Sequence, residues 1–158
     1  MKQNIYDNVE FYQNYVNMRE TSTGLNDVLE IPAFRTLLQD LTGKTILDLG
    51  CGYGESSQWY ADRGSKHVIG VDISENMIST AKQLHSNTSI EYLHMPIEDI
   101  DFPDNQFDMV LSSLAFHYIE HIEPVFEKIY KNLKAGGYFI FSQEHPIATA
   151  KKIPNGWI

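Results

Sequence analysis

The chain has 158 residues, which favours one domain with a single sizeable core. Its formal net charge of −9 and the lack of a basic patch argue against nucleic acid as a partner, because phosphate binding depends on clustered Lys and Arg side chains. The only cysteine is typical of a reducing compartment, and no apolar run is long enough to span a bilayer, so a cytoplasmic protein with a small-molecule partner is expected.

Residues 1–43 differ from the rest of the chain, because they carry scattered aromatic residues and short helical patterns. Apolar residues recur at helical spacing over residues 31–38, which predicts a helix with Pro32 in its first turn and Gly43 beyond its end. We therefore expect an N-terminal helical segment, followed by a main domain that covers residues 44–158.

From Lys44 onward the pattern alternates between strands and helices. Strands are predicted at residues 45–49, 67–72, 89–93, 107–112 and 137–143. Strands that alternate with helices form parallel sheets with helices on both faces. The sequence therefore predicts an α/β fold with a doubly wound, mostly parallel sheet.

Two of the intervening helices have clear amphipathic patterns. Ser74 is predicted to cap a helix whose buried side includes Met77 and Leu84. A second pattern, over residues 122–133, places Tyr130 on its apolar side and is predicted to end at the two glycines that follow Ala135.

The most informative stretch is the end of the first predicted strand. Residues 45–49 are apolar apart from Asp48, and glycines follow at alternating positions, at Gly50, Gly52 and Gly54. Glycine adopts positive φ and lets a ligand approach the backbone closely. Because open α/β sheets bind ligands at the carboxyl ends of their strands, we expect this turn and the helix predicted over residues 55–63 to form a cofactor cradle.

The spacing of the glycines indicates which cofactor the cradle holds. A dinucleotide site has the pattern G-x-G-x-x-G, with the pyrophosphate at the helix N-terminus. In this chain the third fingerprint position is Glu55. A carboxylate there competes for the same amides and repels the anion, so the pattern favours a cofactor without phosphates.

The segment Leu47-Asp48-Leu49-Gly50-Cys51-Gly52-Tyr53-Gly54 resembles the first motif of class I S-adenosylmethionine-dependent methyltransferases, of the small-molecule type grouped as methyltransferase-11 or -25. Segments similar to three later motifs follow in the family's order. The resemblance implies a Rossmann-like sheet of strand order 3-2-1-4-5, S-adenosylmethionine as the cofactor with S-adenosylhomocysteine as its product, and no metal. It also implies methyl transfer to an O, N or C nucleophile of a small molecule.

The family's sheet usually has seven strands, and only five are predicted in this chain. We therefore expect a chain that is truncated at its C-terminus and lacks the last two strands. The fifth strand is then an exposed edge, which invites pairing with another chain. Lower stability or a homodimer formed through that edge is the expected consequence.

The resemblance and the spacing together imply a set of cofactor-binding residues. Asp72 follows the glycine turn by about 20 residues, the position from which an acidic residue accepts hydrogen bonds from ribose. A purely helix-capping Asp is the alternative. Asp48 is expected to accept amides of the turn, to hold the cofactor's ammonium group, or to be structural. The full set is Tyr15, Arg19, Asp48, Gly50, Cys51, Gly52, Asp72, Ile73, Met77, Ile97, Glu98 and Ser113.

The segment after the third strand resembles the part of the family that contacts the adenine edge. Pro96 stands where the family has an acidic residue, so Glu98 is expected to replace it, while Ile97 offers its backbone amide. A solvated acidic turn is the alternative for Glu98. Ser113 follows the fourth strand, and its backbone carbonyl is a candidate to hold the methionyl ammonium.

Two histidines are candidates for a general base, since an unperturbed His titrates near neutrality. His117 follows the fourth strand and His145 follows the fifth. A polar wall residue is the alternative for His117. His117 and His121 also have the spacing of metal ligands on a helix, but without a third ligand no metal site is predicted.

In proteins that this chain resembles, helices before the first motif close over the methyl donor. The resemblance therefore implies that residues 1–43 are a lid, with Tyr6, Tyr15 and Arg19 as contacts. Packing of these side chains onto the sheet is the alternative. Two other functions stay open at this point, a non-catalytic S-adenosylmethionine-binding protein and a nicotinamide-dependent oxidoreductase.

Overall fold

The computed structural model describes residues 4–8, 10, 12, 14, 17, 24–145, 152–153 and 156–157. The main strands are β1 (Thr45–Leu49), β2 (His67–Asp72), β3 (Ile90–His94), β4 (Phe107–Ser112) and β5 (Leu133–Phe141). The α-helices whose two ends lie within the described residues include α1 (Ile31–Thr36), α2 (Glu55–Asp62), α3 (Glu75–Leu84) and α4 (Ile122–Asn132). Two short strands, β6 (Lys152–Ile153) and β7 (Gly156–Trp157), pair antiparallel in a separate sheet.

The five main strands form one sheet of order β3-β2-β1-β4-β5, and every neighbouring pair in it is parallel. This confirms the predicted α/β class, the doubly wound Rossmann-like sheet and its strand order. Strand β1 is central, so that Asp48 lies beside Gly70 of β2 on one side and Leu111 of β4 on the other. The carboxyl ends of β1, β2 and β4 therefore meet at one edge of the sheet.

The sheet has an apolar core on each face, as expected for strands that are covered by helices on both sides. On one face, Leu47 and Leu49 of β1 pack with Val125 and Ile129 of α4. On the other face, Ile46 belongs to a cluster with residues of α1 and α2, among them Phe34 and Tyr60. Asp48 alternates with Leu47 and Leu49 along β1, so it faces the same side as Ile46 and α2.

Helix α3 begins as predicted, because the Ser74 hydroxyl oxygen accepts a hydrogen bond from the Met77 amide at 3.2 Å. Met77 is buried, but the prediction for Leu84 was wrong, since this last residue of the helix is 65% exposed. Tyr130 of α4 is also exposed rather than buried, at 82%. Helical period identifies a face, but it does not show how much of that face the sheet covers.

The end of α4 also differs from the prediction. The helix ends at Asn132, and β5 begins directly at Leu133 instead of at residue 137. Leu133 pairs with Phe107, and an irregularity in the ladder precedes the pair between Met109 and Tyr138. Gly136, with φ of 78°, lies within this irregularity rather than at a helix terminus.

The glycine turn after β1 packs tightly against the loop that follows β4. Gly50 has φ of 75°, and a Cβ atom at this position would lie 2.4 Å from the Cβ of Ala115. Only glycine combines this backbone conformation with so close an approach. The contact fixes the carboxyl ends of the two neighbouring strands relative to each other.

No helix among the described residues is long and apolar enough to cross a membrane.

Gly50→Ala is expected to destabilise the fold more than Gly136→Ala. Both glycines have a φ near +75°, but a Cβ at Gly136 meets nothing within 4 Å. Gly136→Ala therefore carries the left-handed penalty of about 1–2 kcal/mol, and Gly50→Ala adds about 1–3 kcal/mol of overpacking against Ala115. Urea unfolding of both variants tests this, and equal losses of unfolding free energy would contradict the packing account.

Candidate functional site

A cavity of about 330 Å³ opens at the carboxyl ends of β1, β2 and β4. This volume lies in the range of small-molecule sites, roughly 300–1,000 Å³. Most of the residues predicted from the sequence line it, namely Asp48, Gly50, Cys51, Gly52, Asp72, Ile73, Met77, Ile97, Glu98, Ser113 and His117. Tyr15 and Arg19 lie outside the described residues, so their predicted roles are not addressed by the structure.

Four backbone amides of the glycine turn bond within the protein instead of facing a ligand, and one of them, that of Gly54, donates to the Cys51 carbonyl at 3.0 Å. Gly50 and Cys51 both donate to the carbonyl oxygen of Val71, at 2.9 and 3.0 Å. Gly52 donates to the Oδ2 atom of Asp72 at 2.9 Å. Phosphate sites at such turns depend on amides that are free to face the anion. This turn therefore has the chemistry of a site for a ligand without phosphates, as predicted from Glu55.

Asp72 combines a structural role with a position in the cavity wall. Its Oδ1 atom accepts the Ser74 amide at 2.9 Å, and its Oδ2 atom accepts the Gly52 amide. Burial raises the pKa of Asp72, although these two amide bonds oppose the shift. Each carboxylate oxygen has a second lone pair, so the side chain retains capacity for ligand hydroxyls. The ribose-binding role stays a prediction.

Asp48 is buried, at 2% exposed, below the glycine turn. Its Oδ2 atom accepts a hydrogen bond of 2.6 Å from the Ser57 hydroxyl of α2, so Ser57 is its donor and not an amide of the turn. Burial raises the pKa of Asp48 to about 7, the Ser57 bond opposes that shift, and Asp72 adds to it. A positive charge brought into the cavity would favour the ionised form of this carboxyl.

The segment predicted to contact adenine begins just after β3. Ile97 is buried and begins a short 3₁₀ turn, Ile97–Asp99, and both Ile97 and Glu98 line the cavity. The backbone carbonyl of Glu98 accepts a hydrogen bond from the Lys128 ammonium at 2.7 Å. The segment is thereby attached to α4, and the Glu98 side chain stays at the cavity wall.

The first described residues of the chain lie across the N-terminus of α3. Asp7 accepts hydrogen bonds from the Ser74 hydroxyl at 2.6 Å and from the Asn76 amide at 3.3 Å. Burial alone would raise the pKa of Asp7, but these bonds outweigh it and the pKa lies below its usual value. Tyr6, one residue before Asp7, lines the cavity. Residues 4–8 thus lie beside the β2 side of the cavity.

His117 lines the cavity, and burial lowers its pKa although Glu144 opposes the shift. The ring is therefore neutral at physiological pH. Its Nδ1 atom accepts the Glu144 backbone N–H at 3.5 Å, which leaves the proton of the neutral ring on Nε2. His145 is exposed and is absent from the cavity wall, where its neighbour Glu144 lies instead. No group of His, Cys, Asp and Glu within the described part of the chain is suited to a metal ion.

Sequence reasoning missed Glu30, which reaches the β4 and β5 side of the cavity from the end of the segment before α1. Its Oε1 atom accepts hydrogen bonds from the hydroxyls of Ser113, at 2.9 Å, and Ser142. Its Oε2 atom is buried without a hydrogen-bond partner. No local pattern marks Glu30, because its partners come from distant parts of the chain.

Comparison with known proteins places this fold and site in a wider group. The protein family described as "Methyltransferase domain" matches residues 47–141. An uncharacterized protein of Haemophilus influenzae is 40% identical over 162 residues, which cover 99% of this chain and 64% of that protein. The chain thus spans less than two thirds of that relative's length.

Two solved structures are similar to the chain in fold and in sequence. An S-adenosylmethionine-dependent methyltransferase from Mesorhizobium loti has a TM-score of 0.76 and 38% identity, covering 81% of this chain and 58% of that protein. Phosphoethanolamine N-methyltransferase 2 of Haemonchus contortus, in complex with phosphomonomethylethanolamine and S-adenosylhomocysteine, has a TM-score of 0.66 and 28% identity, covering 72% of this chain and 27% of that protein.

These likenesses confirm the predicted class I methyltransferase resemblance and S-adenosylmethionine as the cofactor.

The cavity also fits this cofactor on its own chemistry. Its wall carries six carboxylic side chains and, among the described residues, neither Lys nor Arg. The acidic lining suits a positively charged sulfur, and the bonded amides of the turn match a ligand without phosphates. The acidic side chains are Glu30, Asp48, Glu55, Asp72, Glu98 and Glu144.

The raised pKa of Asp48 predicts a specific pH dependence of stability. The folded chain keeps this proton up to about pH 7, whereas the unfolded chain loses it near 3.8, the ordinary pKa of an aspartic acid. The stability that the proton contributes is full below that value and is lost as the pH rises to about 7, by up to about 1.4 kcal/mol per pH unit.

Urea unfolding between pH 4.5 and 8 should therefore show the wild-type chain losing stability relative to Asp48→Asn as the pH rises. The matched control is Asp101→Asn, which removes an exposed carboxyl outside the cavity and should keep the wild-type slope. A constant difference between wild type and Asp48→Asn across this range would contradict the assignment.

Asp7→Ala is expected to weaken S-adenosylhomocysteine binding about tenfold, because it removes charge-assisted hydrogen bonds that hold residues 4–8 against α3. Glu10→Ala removes an exposed carboxylate from the same part of the chain and is the control. Isothermal calorimetry measures both affinities. Equal affinities of the two variants would show that residues 4–8 do not support the ligand.

Proposed function

Because the chain belongs to the Methyltransferase domain family, we propose that it is the cofactor-binding part of an S-adenosylmethionine-dependent methyltransferase, which moves a methyl group to an O, N or C nucleophile of a small molecule. One observation carries this proposal. The glycine turn bonds its own amides to β2 and opens onto an acidic cavity of about 330 Å³. That combination disfavours dinucleotides and suits a cationic cofactor.

The chain's own residues would hold the cofactor in a fixed orientation. Asp72 would hold the ribose hydroxyls, Ile73, Met77 and Ile97 would pack around the adenine, and the Ser113 carbonyl would hold the methionyl ammonium. When bound, S-adenosylmethionine supplies a methyl group that its positive sulfur already activates. The protein therefore needs mainly to orient the acceptor and to exclude water.

The N-terminal segment, residues 1–43, is proposed as the lid of this site, and residues 44–158 as the Rossmann-like domain. The positions of Tyr6 and Asp7 across α3 support that division.

A cytoplasmic location stays a prediction from the cysteine content.

His117 is the proposed polar group beside the acceptor. In the tautomer described above, its Nε2–H can donate a hydrogen bond to the acceptor. Removal of a proton from the acceptor would need a free ring nitrogen, so His117 acts as a base only after the contact from Glu144 opens. His145, exposed and outside the cavity wall, is the second candidate and the weaker one.

The edge of the sheet at β5 supports the proposal of a homodimer. Within the described residues β5 pairs with β4 alone, and Tyr138 and Phe141 on it are 44% and 38% exposed. An unpaired strand with exposed aromatic residues favours association with a second strand.

Gly52→Ala is the test of the cofactor site, with Gly43→Ala as its matched control. Both glycines have positive φ, and a Cβ at either position meets nothing within 4 Å, but only Gly52 lines the cavity. Calorimetry should show wild-type chain and Gly43→Ala binding S-adenosylhomocysteine alike, and Gly52→Ala binding it at least tenfold more weakly. NADH should not bind.

Absence of S-adenosylhomocysteine binding by the wild-type chain would overturn the proposed function. A second measurement separates an enzyme from a non-catalytic binding protein. Incubation of the full chain with methyl-labelled S-adenosylmethionine and a pool of small amines, alcohols and carboxylic acids should transfer label to at least one acceptor.

A further inference from the structure

Glu30 is a carboxylate that the fold holds in place through only one of its two oxygens. Its Oε1 atom accepts both the Ser113 and the Ser142 hydroxyl, so the side chain is oriented from two strand ends. Its Oε2 atom is buried and makes no hydrogen bond. A buried carboxylate oxygen without a partner is energetically costly, which indicates that a ligand group completes it.

No described residue forms an ion pair with Glu30, although Arg35 interacts with it electrostatically. Arg35 stacks on the Trp59 ring, with its Cζ atom 4.3 Å from the ring centroid, and forms no ion pair with Glu30. The described cavity wall contains neither Lys nor Arg, and His117 is its one basic side chain. A ligand that binds at Oε2 must therefore bring its own hydrogen-bond donor, and a positively charged donor fits best.

The strand order shows on which side of the cofactor Glu30 lies. Asp72 ends β2 and the glycine turn ends β1, whereas Ser113 and Ser142 follow β4 and β5. Glu30 and the proposed ribose carboxylate are thus on opposite sides of the end of β1. If the adenosine lies over β2, the methyl acceptor lies on the β4 and β5 side, next to Glu30.

We propose that Glu30 is the specificity-determining residue for the acceptor, and that its Oε2 atom binds a protonated amine of that molecule. An ammonium nitrogen has no lone pair, so it accepts a methyl group only after one of its protons has passed to Oε2. The inference rests on the proposed function and deepens it, because it names the acceptor class as small amines. A phosphate or carboxylate group close to Oε2 would be repelled by Glu30 and by the other carboxylates of the wall. The acceptor is therefore an amine without an anionic group at that end.

The methionyl tail of the cofactor also carries an ammonium group, so the experiment must separate the two sources. Calorimetry with S-adenosylhomocysteine and with 5′-methylthioadenosine, which lacks the amino-acid tail, does so. Glu30→Gln should bind both ligands as the wild-type chain does, within about twofold. Selective loss of S-adenosylhomocysteine affinity would mean that Glu30 holds the tail, and would overturn the assignment to the acceptor.

The acceptor arm uses ligand-observed NMR on protein saturated with S-adenosylhomocysteine, with butylamine and butanol as matched cationic and neutral probes. The wild-type chain and Glu123→Gln, which changes an exposed carboxylate of α4 outside the cavity, should both prefer butylamine. Glu30→Gln should weaken butylamine binding about tenfold and leave butanol binding unchanged.

A melting experiment distinguishes binding of the acceptor by Glu30 from a purely structural role of this residue. Gln keeps the acceptor oxygen for the two serine hydroxyls and removes an uncompensated charge, so the melting temperature of Glu30→Gln without ligand should not fall. A lower melting temperature together with an unchanged preference for butylamine would overturn the proposal. If S-adenosylhomocysteine binds the wild-type chain but the amine preference is independent of Glu30, only this inference fails, and the proposed function stands.

Discussion

The site depends on the hydrogen bonds by which the glycine turn is attached to β2. The Val71 carbonyl accepts the amides of Gly50 and Cys51, and Asp72 accepts that of Gly52. These bonds draw the turn toward β2, while Gly50 approaches Ala115 after β4 too closely for any side chain. Three strand ends are thereby held in one arrangement. The same bonds engage three amides that could otherwise face a ligand, so one set of contacts affects both the shape and the chemistry of the cavity.

The acidic character of the cavity is the electrostatic counterpart of that arrangement. Asp48 and Asp72 both have raised pKa values because the fold buries them, and Asp72 raises the pKa of Asp48 further. Ionising either carboxyl in this environment therefore costs free energy. Asp48 titrates near pH 7, so its charge can respond to what occupies the cavity. A cationic ligand stabilises the ionised form and lowers this cost. Binding of a positively charged molecule and deprotonation of Asp48 are therefore thermodynamically linked.

Local sequence patterns were sufficient to predict the sheet and most residues of the cavity wall. Strands β1, β2 and β4 are short apolar runs, and their ends carry the glycines, Asp72 and Ser113 that an α/β fold brings together. The start of β5 could not be predicted, because Ala135 and the two glycines after it have no strand pattern and lie where the ladder with β4 is irregular. Glu30 was missed for a related reason, since its serine partners lie 83 and 112 residues away along the chain. Contacts of that separation exist only after folding.

The N-terminal part of the chain is attached to the site at both ends by the same chemistry. On the β2 side, the carboxylate of Asp7 accepts the Ser74 hydroxyl, and on the β4 and β5 side, that of Glu30 accepts Ser113 and Ser142. In each case a carboxylate from before the first strand meets a serine that follows a strand of the sheet. The two attachments differ in whether a carboxylate oxygen is left without a hydrogen-bond partner. Asp7 has both carboxylate oxygens engaged, one by Ser74 and Asn76 and the other by Asn4, whereas Glu30 keeps one buried oxygen unpaired. The first contact is therefore complete within the protein, whereas the second leaves an oxygen with which a bound molecule can form a hydrogen bond.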